Sequence, residues 1–103
     1  MIATQIARII ANFILFLDMT DDETLDPDAA VQMMEELAGD LQAMDKGFLQ
    51  ELVDSFPVIA LEYSGEAQRL VLSISRDFYL EEALAADDPA RLAELEARRE
   101  AED

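Results

Sequence analysis

A chain of 103 residues, just over half of them apolar, is long enough for one hydrophobic core and, on size, for one domain. It has no cysteine and no histidine, which excludes a disulfide framework, a thiolate metal site, a cysteine nucleophile, and the commonest general base and zinc ligand. Twenty-four acids against seven bases leave a net charge of −17, so nucleic-acid phosphates and anionic membrane surfaces are disfavoured, and a basic partner, or no charged partner at all, is what remains.

The apolar run from Ile2 to Leu17 predicts a first helix ending near Asp18 or Met19. Thr4 or Gln5, Arg8 and Asn12 fall three to four residues apart and draw one polar stripe on it. No basic segment precedes the run and no small-residue cleavage site follows it. It is also shorter than the ~20 residues of a spanning helix. The expectation is a core helix in a soluble, cytoplasmic protein. An acidic loop comes next, "DMTDDETLDPD", with carboxylates at Asp18, Asp21, Asp22, Glu23, Asp26 and Asp28 and no cation.

The second helix opens with Asp26 as N-cap, Pro27 at its first position and Asp28 at the positive end of the dipole. Ala30, Met34, Leu37, Leu41 and Met44 recur at four and three, with Met33 alongside, giving an apolar seam. Glu35, Glu36 and Asp40 turn outward, and Gly39 is expected to allow a close helix approach. Asp45 caps a third helix over "KGFLQELVDSF", which Pro57 is expected to break or kink. Residues 58–75 permit two readings. One is a hairpin of "VIALEY" and "RLVLSIS" around Ser64-Gly65. The other, favoured here, is a helix capped by Ser64 and running without a break into "RDFYLEEALAA". Asp87 and Asp88 before Pro89 start a last, charged helix, with Glu94 placed to pair with Arg98 four residues on. The predicted fold is a single all-α domain over 1–103, a small bundle of four to five helices, with 88–103 a charged surface or fraying helix. The alternative is α+β with one hairpin at about 58–75.

Chemistry finds little footing. Counted as a calcium loop from Asp18, the odd positions Thr20, Asp22, Thr24 and Asp26 supply oxygens. Glu23, however, replaces the turn glycine and Ala29 the bidentate glutamate. The serines have no histidine base, the single lysine is Lys46, and no glycine-rich phosphate loop occurs. No catalytic residue, cofactor or metal ligand is assigned, and the protein is read as a non-enzyme. The run Glu35, Glu36, Asp40, Glu51, Asp54 resembles in part the carboxylate pattern of all-α nucleotide pyrophosphatases of the MazG kind. Gly39 stands where a further glutamate ligand belongs.

The stretch "FILFLDMTDDETLDPDAAVQMMEELAGDLQAMDKGFLQELV" resembles a group of small acidic bacterial proteins. Some of these are encoded beside polymorphic or contact-delivered toxins, where they resemble immunity proteins. The similarity covers about forty residues, and its motif is structural. It implies a toxin-neutralising protein that binds and occludes a basic toxin stoichiometrically. The expected partner-binding residues, read from charge, are Asp18, Asp21, Asp22, Glu23, Asp26, Asp28, Glu35, Glu36 and Asp40. Opposed charge accelerates such encounters by orders of magnitude. The alternatives are an acidic adaptor or nucleic-acid mimic that regulates a basic protein, and a homodimer joined through the apolar first helix.

Overall fold

The computed structural model describes residues 2–102 and contains no strand among them. The helices are α1 (Ile2–Met19), α2 (Pro27–Gln42), α3 (Lys46–Ile59), α4 (Gly65–Asp77), the single-turn α5 (Leu80–Leu84) and α6 (Pro89–Glu102). A 3₁₀ turn, Ala60–Glu62, follows α3. Five helices of thirteen residues or more thus form an all-α bundle, and the hairpin reading of 58–75 is set aside in favour of a helix.

α1 lies at the centre because every third or fourth residue is apolar and small residues alternate with large ones. Ala3, Ala7, Ile10, Ala11, Ile14 and Leu17 are buried, chiefly against α3 and also against α2 and α4. On α3, Leu49, Leu52, Phe56 and Ile59 answer them at three-four-three spacing. Ser55 is buried among these apolar residues, and its hydroxyl donates to the Glu51 carbonyl at 2.7 Å, so the hydroxyl is not orphaned. The polar stripe of α1 has a structural task. Arg8 forks onto Glu62 at 2.7 and 2.8 Å, and the Tyr63 hydroxyl donates to Asn12 at 2.6 Å, pinning the 3₁₀ turn to α1. The hydrogen bonds from Arg8 hold the Glu62 carboxyl below its ordinary range, and burial pushes the Tyr63 phenol up.

The sequence-read caps form as expected at three helix starts. Asp26 accepts from the Asp28 amide at 3.4 Å, Asp45 from Phe48 at 3.0 Å, and Asp88 from Arg91 at 3.1 Å. Ser64 holds the N-cap position of α4, but its side chain makes no cap bond.

Four local expectations need correction. Pro57 does not end α3, which continues to Ile59. It lies in the last turn on the exposed side, so the one backbone bond it removes is lost near solvent rather than in the core. Gly39 is exposed, and a β-carbon there would meet nothing within 4 Å, so it serves no close approach. The helix expected to run unbroken through "RDFYLEEALAA" stops at Asp77. Tyr79 there turns left-handed (φ 57°) between the buried side chains of Phe78 and Leu80. Burying both of these neighbours outweighs a strain of about 1–2 kcal/mol at a non-glycine αL residue. Finally, Arg98 lies nearest to Glu81 of α5, and Glu94 pairs with Arg91.

α6 is held by more than Leu95, its one buried side chain. Arg99 forks onto Glu82, donates to the Arg76 carbonyl at 2.6 Å, and lies 3.9 Å over the Tyr79 ring. These bonds keep the Glu82 carboxyl below its ordinary value.

Candidate docking site for a basic partner

All seven cations of the chain are engaged by acids. Arg8 holds Glu62, Lys46 holds Asp87, Arg69 holds Glu66, and Arg76, Arg91, Arg98 and Arg99 hold acids of α4, α5 and α6. Not one of these partners falls between Asp18 and Asp54. Among the described residues, every carboxylate of the loop, α2 and α3 is therefore without a cation within ion-pair distance. The charge is segregated: the carboxy-terminal half neutralises itself in part, and the other half projects an unanswered field.

The loop is built partly by its own acids. The Asp21 carboxylate accepts from the Thr24 amide at 2.8 Å; the Thr24 side chain first, and then this amide, hold its pKa below the ordinary range, and the Asp21 carbonyl accepts from the Thr24 and Leu25 amides. Asp26 is spent on the α2 cap. Asp22, Glu23 and Asp28 are exposed and make no side-chain bond among the described residues.

Two acids of the expected set come together across an apolar cavity. Asp18, at the end of α1, and Glu35, on α2, both line an open groove of about 300 Å³. Its walls are Ile14, Val31, Met34, Ala38, Leu70, Ile74 and Phe78, with Asp77 on the α4 side. Val31, Met34, Glu35 and Ala38 repeat at three-one-three and so share one face of α2. A second, smaller depression of about 220 Å³ shares Asp18, Val31 and Met34 with the first, and Asp22, Leu25 and Pro27 of the loop border it. The chain thus offers an apolar floor rimmed by carboxylates, with Val31 55% exposed between the two hollows. Glu36 and Asp40 are exposed on an adjacent side of α2 and line neither hollow.

Asp77 was missing from the sequence reading. It becomes visible only once α4 is known to face α2, and Ser73 fixes it by donating at 2.8 Å. Among the described residues no three acids gather closely enough to hold a metal ion. The arrangement can receive an apolar side chain flanked by cations. Comparison with protein-family models, curated proteins and solved structures gives no match.

Proposed function

We propose that this chain is a toxin-neutralising immunity protein that binds a basic protein partner stoichiometrically and occludes it without turnover. The observation that carries this reading is the groove between α1, α2 and α4. It is an apolar hollow whose rim acids Asp18 and Glu35 have no cation, opening beside an acidic loop that has none either. An apolar anchor in the hollow would supply affinity, and lysines or arginines beside it would meet the rim. The unanswered carboxylates from Asp18 to Asp54 would raise the encounter rate, which a protein that must act before damage occurs requires. Basic nucleases are the toxin class whose surface complements such a field, because their own substrate is a polyanion.

The test is co-expression with the product of the adjacent reading frame, scored by growth and by recovery of an equimolar complex. The proposal expects a toxic neighbour, protection by the wild-type chain, and protection weakened by the double substitution Asp18→Asn, Glu35→Gln. A harmless neighbour, or a toxic one that this chain neither binds nor restrains, refutes it. In that case the same acidic groove is better read as an adaptor site for some other basic protein.

A further inference from the structure

Helix α1 carries two apolar seams. Ala3, Ala7, Ile10, Ile14 and Leu17 repeat at four and three residues and are buried in the core. One residue earlier each time, Ile2, Ile6, Ile9, Phe13 and Phe16 repeat at the same spacing. Of these, Ile6 packs at the edge of the core, while Ile2, Ile9, Phe13 and Phe16 are 69%, 68%, 38% and 51% exposed. The fold of one chain therefore uses the first seam and leaves the second open. Apolar residues scattered singly over a surface require no explanation, but a continuous strip does. Four-three repetition is the spacing at which one helix packs its side chains between those of another.

The strip is also free of carboxylates. From Ile2 to Leu17 the only charged residue is Arg8, which Glu62 already holds, and the outer flank of the strip is Gln5, Asn12 and Met19. In a chain of net charge −17, like copies repel one another wherever their acids approach. This is a helix face on which they can meet without that repulsion.

We infer that the chain forms a two-fold dimer in which α1 packs antiparallel against α1 of a second copy. From the exposed fractions, the strip offers on the order of 500 Å² per copy, or about 1,000 Å² for the pair, below the ~1,200–2,000 Å² of stable specific interfaces and in the range of weak, reversible dimers. Charge decides the orientation. α1 is about 27 Å long. Parallel packing would set the two acidic loops beside each other. Antiparallel packing separates them by about that length, several times the ~8 Å screening distance at physiological salt. It also lays each loop against the amino-terminal, positive end of the other copy's α1. Ile9 then faces Ile9 across the two-fold axis, and Ile2 faces Phe16. Ile14 and Asp18, which line the docking groove, lie roughly 140° around α1 from this strip, so the dimer leaves both grooves open.

Sedimentation of the full chain across a wide concentration range, in 0.15 M salt, reads the mass directly. A mass twice 11.5 kDa is expected, with tighter association at higher salt. Ile9→Glu should weaken the dimer at least tenfold, and Val58→Glu, on another exposed apolar residue, should leave it unchanged. Because the chain has no cysteine, single cysteines report orientation cleanly. Ile2→Cys and Phe16→Cys chains should each resist oxidation to a disulfide dimer alone and should cross-link when mixed. A wild-type chain that stays monomeric at millimolar concentration overturns the inference. So does a dimer in which each cysteine variant cross-links to itself. Flotation of the monomer with neutral phosphatidylcholine vesicles would assign the strip to a lipid surface, and it would overturn the inference as well. Should Ile9→Glu fail to fold, the cross-linking pair still decides.

Discussion

Arg99 closes the carboxy-terminal part of the bundle, and removing it has a calculable consequence. Its guanidinium forks onto Glu82, donates to the Arg76 carbonyl at 2.6 Å, and covers the ring of Tyr79 at 3.9 Å. A charged donor to a carbonyl contributes about 1.5–3 kcal/mol net, and the half-exposed setting argues for the lower figure. The stack over Tyr79 adds about 0.5–1 kcal/mol, and the ion pair, screened by solvent, adds at most about 1 kcal/mol. Arg99→Ala should therefore destabilise the protein by about 2–3 kcal/mol, lowering the urea midpoint with little change in slope. Amide exchange over Pro89–Glu102 should quicken by a similar factor. Arg99→Lys keeps the charge and loses the fork, so it should recover less than half of the loss. Tyr79→Gly in the Arg99→Ala background should restore about 1 kcal/mol, because the left-handed strain is then relieved and no stack remains to be lost. A midpoint for Arg99→Ala that corresponds to less than about 0.5 kcal/mol, or full recovery by lysine, would refute this assignment.

Raising salt from about 10 mM to about 200 mM should raise the melting temperature, because the unanswered acids from Asp18 to Asp54 outnumber the exposed ion pairs that salt weakens. A melting temperature that falls with salt would contradict it. Asp45→Ala should destabilise by about 1 kcal/mol in urea, and Asp26→Ala by less than half as much. The Asp26 cap bond is 3.4 Å against 3.0 Å, and removing its charge relieves the crowded loop. Equal losses would contradict the geometry. Glu62, Glu82 and Asp87 are held by Arg8, Arg99 and Lys46 below their ordinary values, as Asp21 is by the side chain and then the amide of Thr24. A carboxyl depressed in the folded state stabilises at neutral pH and loses that contribution as pH falls through the folded value. The stability advantage of wild type over Glu82→Gln should therefore shrink as pH falls below about 4.5, on top of the gain both proteins draw from neutralising the unanswered acids.

Periodicity and capping chemistry made much of the bundle legible. The α1 helix with its polar stripe, the seam of α2 from Ala30 to Met44, and the starts at Asp26, Asp45 and Asp88 follow from spacing and from side chains that satisfy the first amides of a helix, whereas which of the two apolar seams of α1 enters the core does not. The break at Tyr79 had no local signal, since neither glycine nor proline marks it. It exists because Phe78 and Leu80 are both drawn inward and Arg99 arrives from a helix about twenty residues later. Pro57 misled for the opposite reason: a strong local signal was overridden because its lost bond falls at the solvent side of a final turn. Of the expected site, the acids themselves were readable as an excess without cations. Their division was not. Asp21 and Asp26 turn out to build the loop and the α2 start, Glu36 and Asp40 stand apart from the hollow, and Asp77 joins it from α4. Only tertiary placement makes those distinctions.

On the proposed function, Asp18 and Glu35 at the groove, backed by the loop acids, meet cations of a protein partner. The association rate constant of the purified chain with the product of the adjacent reading frame, taken as a function of salt, decides whether they do. Asp18→Asn, Glu35→Gln is compared with wild type after both are shown to melt alike. The account expects a wild-type rate that falls steeply with salt, and a variant that associates about tenfold more slowly with a flatter salt dependence. Equal rates and equal salt slopes for the two proteins would contradict it and would place the partner surface away from the groove.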